Sequence, residues 1–291
     1  MGCPLCRGPL RLDGESLRCP ACGHRFPVQN GVPSLVRRED AAALADFSRR
    51  YREARLREGW RPLAAEQALA LPYGAPPGYP PLYWEVRRQS YEALMDLLSR
   101  QGPPPEAGPV ADLGAGTGWL AHRLAGAGYR VLAVEASLER DFGLGAAAVY
   151  LTAPRPPFLP VQADLEHPPL RRGRLSLAVF NASLHYARDL EGTLRRTAEA
   201  LHGGGWLVVL DVPITRQPGP GGAPDDGHRS PRRSRRSLDR WELEEALVAA
   251  GLRPRWVPIR RGPRWWAHQA KTWLKREARF SFPMMIAERP Q

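Results

Sequence analysis

Four cysteines lie within the first 22 residues, at Cys3, Cys6, Cys19 and Cys22. They form the pattern C-x2-C-x12-C-x2-C, and two Cys-x-x-Cys pairs can place four thiolates around one Zn2+. So short a segment has too little core to fold without a metal or disulfides. Disulfides are the alternative, but the N-terminus lacks a secretory signal pattern, so zinc is favoured. Because four thiolates leave no open coordination position, we predict a structural zinc ribbon over residues 1–36.

A second group of residues with chemical potential is the turn Asp112-Leu113-Gly114-Ala115-Gly116-Thr117-Gly118. Glycines allow the backbone to approach a ligand closely, because they lack a Cβ. The dinucleotide fingerprint G-x-G-x-x-G would need its third glycine where Trp119 stands. The spacing therefore does not predict a pyrophosphate site, and a different ligand is expected.

The elements around this turn alternate between apolar strands and amphipathic helices, the pattern of a parallel α/β sheet. Helices are predicted at 118–127 and at 189–202, the second closed by Gly203-Gly204-Gly205. A later helix is predicted with Ser237 as its N-cap. The predicted strands are residues 110–113, 130–136, 158–164, 175–182, 205–212, 255–259 and 280–288. We therefore predict an α/β domain over residues 109–291.

Residues 37–108 are predicted to form a helical linker or lid. One helix is expected over residues 40–60, with Asp40 as a candidate N-cap, and a second is expected around Trp84. We interpret Tyr51 and Trp84 as packing residues of this lid, because apolar residues at helical spacing usually pack. The alternative is that the lid covers a cofactor and excludes water.

Residues 110–288 resemble the class I S-adenosylmethionine-dependent methyltransferases, whose first-strand motif E/D-x-G-x-G-x-G matches residues 112–118. The resemblance implies a Rossmann-like class I methyltransferase fold, with a mostly parallel seven-stranded sheet whose last strand is antiparallel. It also implies S-adenosyl-L-methionine as the cofactor, held at Gly114, Gly116 and Gly118. The other implied cofactor contacts are Asp112 at the ammonium group, Glu135 at the ribose hydroxyls, Asp164 at the adenine amino group, and Leu165 beside the ring.

The segment FNASLHY, residues 180–186, follows the fourth predicted strand of this domain. It resembles the N/D-x-x-L-H-H/Y stretch of the type 11 methyltransferases, which include ubiquinone-biosynthesis enzymes. The resemblance implies that Asn181 lies near the transferred methyl group, and that His185 is either structural or a general base. Since no cysteine lies in this domain, covalent cysteine attack on a pyrimidine is excluded.

The first 36 residues resemble the small zinc-ribbon proteins that activate tRNA and protein methyltransferases. They also resemble the ribbon at the front of a bacterial 23S rRNA guanine methyltransferase. The resemblance covers CPLCRGPL to GVPSLV, including the tail Pro-Val-x-x-Gly-Val-Pro-x-Leu. His24 follows the last cysteine by two residues, and we predict that it stays outside a ligand set of four cysteines.

The formal net charge is +12, and residues 213–291 hold 17 basic and 8 acidic residues, so most of the excess lies in this last quarter. Two segments there carry it: a glycine- and proline-rich basic loop predicted to be flexible (216–237), and a predicted amphipathic helix (265–279) with basic residues beside tryptophans. Such a surface can hold phosphates and stack bases. Only Lys271 and Lys275 of the 42 basic residues are lysines, and an arginine bias also arises from a GC-rich genome.

Three functions are therefore considered for this chain. The first is an RNA methyltransferase acting on tRNA or rRNA, narrowly favoured by the zinc ribbon and the basic C-terminal segment. The second is a methyltransferase for a small-molecule oxygen, nitrogen or carbon acceptor. The third is a non-catalytic cofactor-binding partner protein, which the complete cofactor motifs disfavour. The absence of a long apolar run and of a signal peptide predicts a cytoplasmic protein without a transmembrane segment.

Overall fold

The computed structural model describes residues 1–74, 76, 78–152, 157–215, 237–274 and 281–291. The strands are β1 (Arg11–Asp13), β2 (Ser16–Arg18), β3 (Arg25–Gln29), β4 (Val32–Pro33), β5 (Val110–Leu113), β6 (Val131–Glu135), β7 (Phe158–Gln162), β8 (Leu175–Asn181), β9 (Leu201–Leu210), β10 (Ile214–Thr215), β11 (Leu238–Asp239), β12 (Arg253–Val257) and β13 (Met284–Glu288). The helices are α1 (Ala41–Arg57), α2 (Ala65–Ala70), α3 (Pro81–Gln101), α4 (Trp119–Gly126), α5 (Leu190–Ala200), α6 (Arg240–Ala249) and α7 (Pro263–Leu274).

The central sheet has seven strands in the order β12-β13-β9-β8-β5-β6-β7. Neighbouring strands from β9 to β7 pair in parallel, whereas β13 is antiparallel to both β9 and β12. All four residues of β5 and six of the seven residues of β8 are buried, because both faces of a parallel sheet are covered. The predicted fold, with an antiparallel last strand, is confirmed.

The two faces of this sheet pack against different elements. One face packs on α3 and α4 through residues such as Leu94 and Leu120. The other face packs on α5 and α6, and the same apolar cluster includes Leu17, Phe26 and Leu35 of the N-terminal segment. The N-terminal segment and the sheet therefore share one core.

The N-terminal segment extends the sheet at its β7 edge. Its four strands form an antiparallel sheet in the order β1-β2-β3-β4. Just after β4, the Leu35 amide donates to the Gln162 carbonyl at 2.7 Å, and the Ser34 hydroxyl donates to the Gln162 side-chain oxygen at 2.8 Å. The Gly2 amide donates to the Pro169 carbonyl at 2.8 Å. The bond from Leu35 satisfies a backbone carbonyl that the edge strand β7 would otherwise expose, and the other two bonds hold the N-terminal segment beside it.

The predicted end of α5 and the predicted start of α6 were wrong, because strand pairing and a side-chain cap set these boundaries at other residues. The glycines Gly203-Gly204-Gly205 do not follow a helix but lie inside β9, since α5 ends at Ala200. The N-cap of α6 is Asp239, not Ser237, because the Asp239 carboxylate accepts from the Trp241 and Glu242 amides. Leu238 and Asp239 also pair with β10, which keeps the backbone extended there.

The lid helices lie close to their predicted positions. Asp40 precedes α1, but its side chain accepts from Arg37 at 2.7 Å and makes no helix-capping bond. The helix predicted around Trp84 is α3. Within the described ranges, no helix has the length and apolar character needed to span a bilayer.

Candidate functional site

The glycine turn joins β5 to α4 at the carboxyl edge of the central sheet. Gly114, Gly116 and Gly118 have φ angles of 78°, 55° and 82°, in the region that residues with a Cβ rarely adopt. A Cβ on Gly114 would also collide with the Ser183 side chain, whose hydroxyl donates to the Leu113 carbonyl. The conformation of this turn therefore requires glycine.

Asp112 lies in β5, immediately before the turn, and is only 1% exposed. Among the described residues, neither of its carboxylate oxygens has a hydrogen-bond partner. Burial, reinforced by the negative charge of Glu135 and only partly offset by the nearby Ala121 backbone N–H, raises the pKa of Asp112 to about 7. A buried carboxylate without partners is costly, so a cationic ligand group beside it would be stabilising. This chemistry fits the ammonium group of the predicted cofactor.

Glu135 is the last residue of β6, and it connects that strand to the glycine turn. Its Oε2 accepts from the Gly116 amide at 2.8 Å, and its Oε1 accepts from the Ser137 amide at 3.0 Å. Each carboxylate oxygen keeps a second lone pair, so Glu135 can also accept from two ribose hydroxyls. Burial raises the pKa of Glu135.

Asp164 lies two residues beyond β7, at the same edge of the sheet. Its Oδ1 accepts from the Glu166 amide at 3.0 Å, and its Oδ2 is 3.4 Å from the Arg188 guanidinium. Leu165 beside it is half-buried. The predicted contacts of these two residues with adenine stay predictions. Asp164 lies in a small cluster with Asp40 and His167. Both carboxylates of this cluster already face a guanidinium group, because Arg188 pairs with Asp164 and Arg37 pairs with Asp40.

Two strained residues mark the ends of β8 and β9. Ala182 and Asp211 both have φ of 53°, and beyond the N-terminal segment they are the only described non-glycine residues at positive φ. Such strain is concentrated at functional sites. Asn181, directly before Ala182, has a buried Oδ1 without a described hydrogen-bond partner. The predicted position of Asn181 near the transferred methyl group stays a prediction.

His185 lies in the short 3-10 turn Leu184–Tyr186. Its ring packs on Tyr186 with centroids 4.2 Å apart, and its buried Nδ1 has no partner in the described part of the chain. Burial, followed by the positive charges of Arg87 and Arg55, lowers the pKa of His185 to about 4. The imidazole is thus neutral at pH 7. A general-base role stays a prediction, and a group of this pKa is a weak base.

The lid brings aromatic side chains over this edge of the sheet. Tyr51 on α1 packs edge-on against Tyr186, with ring centroids 6.0 Å apart. Burial raises the pKa of Tyr51 well above its usual range, with smaller contributions from neighbours that include Glu135. Trp84 is buried and packs against Trp119 at 5.9 Å, as expected of a packing residue. Both residues pack as predicted: Trp84 belongs to the core, and Tyr51 is packed against that core where it also contacts Tyr186.

Arg55, Arg87 and Asp211 also lie beside this site, although no sequence motif pointed to them. Arg87 on α3 lies 3.5 Å from the Asp211 carboxylate, which also accepts from Ser90 and lies 3.9 Å from Arg261. Asp211 directly follows β9, just as Glu135 ends β6. An acidic residue at the end of the apolar run LVVLDV could therefore have been predicted as a site residue. The two arginines lie on helices, where the sequence shows nothing that distinguishes them from surface arginines.

The four predicted zinc ligands come together. All four Sγ atoms lie within 4.8 Å of one another, with Cys3–Cys22 at 3.7 Å and Cys6–Cys19 at 3.4 Å. These separations exclude disulfides, which need about 2.05 Å. They match the edge of roughly 3.8 Å of a tetrahedron with Zn–S bonds of about 2.3 Å. His24 lies outside this set, is exposed and packs beside Phe26 at 6.0 Å.

The predicted basic surface is described only in part. Trp265 on α7 is buried against Phe282, whereas Trp266 and Lys271 are exposed. The loop 216–236 and residues 275–280 lie outside the described residues.

Comparison with known families identifies the class of protein that this fold and site define. A family model described as "Methyltransferase domain" matches residues 83–257, more than half of the chain. The chain therefore belongs to this family, and it is an S-adenosylmethionine-dependent methyltransferase. A second model, described as "Trm112p-like protein", matches residues 1–31. The N-terminal segment is accordingly a Trm112-like zinc ribbon.

Individual relatives match either the N-terminal ribbon or the methyltransferase fold. The N-terminal part is 46% identical over 41 residues to a UPF0434 protein of Stutzerimonas stutzeri (strain A1501), covering 13% of this chain and 67% of that protein. A similar fold occurs in the 1,6-didemethyltoxoflavin-N1-methyltransferase of Burkholderia thailandensis, with a TM-score of 0.53, 18% identity, and 98% and 100% of the two chains covered. A complex of the Haloferax volcanii Trm112 methyltransferase activator with a candidate methyltransferase matches with a TM-score of 0.51 and 17% identity, over 71% of this chain and 92% of that chain.

Proposed function

We propose that this enzyme methylates a small molecule bound between the lid helices α1 and α3 and the carboxyl ends of β8 and β9. The supporting observation is a group of buried polar atoms without described hydrogen-bond partners at this edge, on Asn181, His185 and Asp211. Ligands of open α/β sheets bind at the carboxyl ends of the strands. The aromatic lid above the site is suited to an acceptor that is enclosed on binding.

The chain's residues would act mainly by positioning. Bound S-adenosylmethionine supplies a methyl group that is already electrophilic, because it is attached to a cationic sulfur. Asp112 and Glu135 would hold the ammonium group and the ribose hydroxyls of the cofactor. Tyr51 excludes water from above, and Asn181 orients the acceptor through its amide. Alignment of this kind can supply about 7 to 11 kcal/mol of the barrier reduction.

The cofactor site is tested by calorimetric titration with S-adenosylhomocysteine and with NAD. We expect S-adenosylhomocysteine to bind and NAD not to bind. Glu135→Ala should weaken S-adenosylhomocysteine binding by about 1.5 to 3 kcal/mol, or roughly 10- to 150-fold, because hydrogen bonds to a charged group are lost. The matched control is Glu106→Ala, an exposed residue at the opposite edge. Tight NAD binding, or equal affinities for both variants, would contradict the proposed cofactor site.

The Haloferax complex supports a role for the fused ribbon. In that complex the Trm112 activator is a separate chain. We propose that the ribbon supports the methyltransferase domain from within the same chain, where it borders the residues beyond β7.

An RNA base is the second candidate acceptor, favoured by the excess positive charge after residue 213 and by the exposed Trp266 and Lys271. If Lys271 contacts a phosphate, Lys271→Gln should lower the salt slope of binding by about 0.7 to 0.9. Trp266→Ala should cost on the order of 1 to 3 kcal/mol if the ring stacks on a base. The measurement is binding of tRNA and rRNA fragments at increasing salt, with Arg100→Gln as the exposed control. Negligible binding near physiological salt would eliminate this candidate.

A further inference from the structure

Two guanidinium groups lie among tyrosine rings of α1, α3 and the segment that follows β8. We call Tyr51, Arg55, Tyr83, Arg87 and Tyr186 the aromatic–arginine cluster. The Arg55 Cζ is 5.1 Å from the centre of the Tyr51 ring, and the Arg87 Cζ is 4.1 Å from the centre of the Tyr83 ring. Arg87 also donates to the Tyr83 hydroxyl. The guanidinium groups therefore lie on the rings that would surround an acceptor.

The cluster itself holds two guanidinium groups and no carboxylate, and the carboxylates around it are Asp211, Glu58 and Glu135, the last of which adds to the raised pKa of Tyr51. Arg87 and Arg261 both face the single carboxylate of Asp211, at 3.5 and 3.9 Å. Arg55 pairs with Glu58 at 2.8 Å, but Glu58 is 48% exposed and lies towards solvent. Burial raises the pKa of both Tyr51 and Tyr186, so these phenols stay neutral and act as hydrogen-bond donors. An anion would be stabilised here, because charges interact strongly away from water.

Hydrogen-bonding groups beside the cluster have no protein partner among the described residues. They are the Arg55 Nε, the Asn181 Oδ1 and the His185 Nδ1, all buried. A buried polar group without a partner costs about 1 to 3 kcal/mol, and a ligand that supplies the partner removes this cost. The Arg55 Nε is a cationic donor that an acidic oxygen of a ligand would complement, whereas the Asn181 Oδ1 is an acceptor that a ligand hydroxyl would complement.

Building on the proposed function, we propose that the methyl acceptor is a small planar aromatic molecule with an acidic oxygen, bound as its anion. Arg87 and Arg55 hold the anionic oxygen, and Tyr51, Tyr83 and Tyr186 contact the ring. A lone pair of that oxygen forms the new C–O bond as the S–C bond of the cofactor breaks. The electrons of the S–C bond stay on sulfur, and neutral S-adenosylhomocysteine leaves. Because the acceptor arrives deprotonated, His185 need not remove a proton.

The proposal is tested by titrating three probes into the protein loaded with S-adenosylhomocysteine. The probes are 2-hydroxybenzoate, its neutral analogue 2-hydroxybenzamide, and the non-aromatic anion cyclohexanecarboxylate. We expect 2-hydroxybenzoate to bind at least tenfold more tightly than either of the others. Arg87→Gln should reduce its affinity to that of the amide, whereas Arg87→Lys should keep a preference for the anion. The control Arg88→Gln is the same change one residue along α3, where the side chain pairs with Glu92 at the surface, and should leave all affinities unchanged.

The outcomes separate this proposal from the proposed function. If S-adenosylhomocysteine does not bind the unmodified protein, the proposed function fails. If it binds but the anion and the amide bind equally, or Arg87→Gln folds and has no effect, only the acceptor class is overturned. Should Arg87→Gln not fold, Arg55→Gln takes its place with the same expected loss. Binding of tRNA but of none of the probes would also overturn the proposal and favour an RNA base.

Discussion

At the scale of single residues, the site is organised by two carboxylates at adjacent strand ends. Glu135 has two backbone donors, whereas Asp112 has no described hydrogen-bond partner and is more deeply buried. Their mutual repulsion adds to the burial that raises the pKa of Asp112 to about 7. Since the folded-state pKa lies above the unfolded value, Asp112 lowers the free energy of unfolding as pH rises from about 4 to about 7. A cation beside Asp112 would offset this penalty.

Cofactor binding should therefore release a proton near pH 6. Asp112 is largely protonated there in the free enzyme, and the ammonium group of S-adenosylmethionine favours its charged form. The affinity should rise with pH up to about 7, by at most tenfold per pH unit, and level off above it. Calorimetry at pH 6 in buffers of different ionisation enthalpy measures the released proton. Asp112→Asn should abolish the release, whereas Asp96→Asn, on the exposed face of α3, should retain it. Equal proton release in all three proteins would show that Asp112 is not the titrating group.

At the scale of elements, the sequence predicts those strands and helices whose position follows from a local pattern of apolar residues. The strands β5 to β8 and the second half of β9 were predictable because each is a nearly continuous apolar run, and in the motif order Glu135 ends β6 while Asp164 follows β7. The strand content of Gly203 and Gly204 was not predictable, because glycine more often stops a helix than joins a strand. Here the pairing of β9 with β8 overrides local preference.

Long-range contacts account for the parts of the site that the sequence did not reveal. Arg87 and Asp211 are 124 residues apart and meet only because α3 packs across the ends of β8 and β9. The bond from Leu35 to Gln162 is likewise a backbone contact between distant segments, and backbone bonds leave no residue signature. The cysteines, by contrast, could be assigned from spacing because zinc geometry limits the ligands to a few arrangements.

At the scale of the whole molecule, the ribbon and the methyltransferase domain share one packed core. Leu17, Phe26 and Leu35 are buried in the same cluster as Leu113 of β5. Beside that interface, the Gln162 amide that meets Ser34 also donates to the Ala136 carbonyl at 3.1 Å, next to Glu135. The ribbon therefore contacts the frame of the cofactor site as well as the core.

Loss of zinc should consequently destabilise the entire chain and not the ribbon alone. Cys19→Ser removes one of four thiolates, and without the metal the ribbon has too little core of its own to stay folded. Exposure of its three buried apolar side chains would cost on the order of 5 kcal/mol, which lowers Tm by about 10 to 20 °C in a chain of this size. We expect one thermal transition at the lower temperature, together with weaker S-adenosylhomocysteine binding. Leu12→Ser is the control, because Leu12 is 74% exposed on the ribbon and its loss should leave Tm unchanged. Two separate transitions in Cys19→Ser, with the later one at the original Tm, would instead show that the methyltransferase domain folds independently of the ribbon.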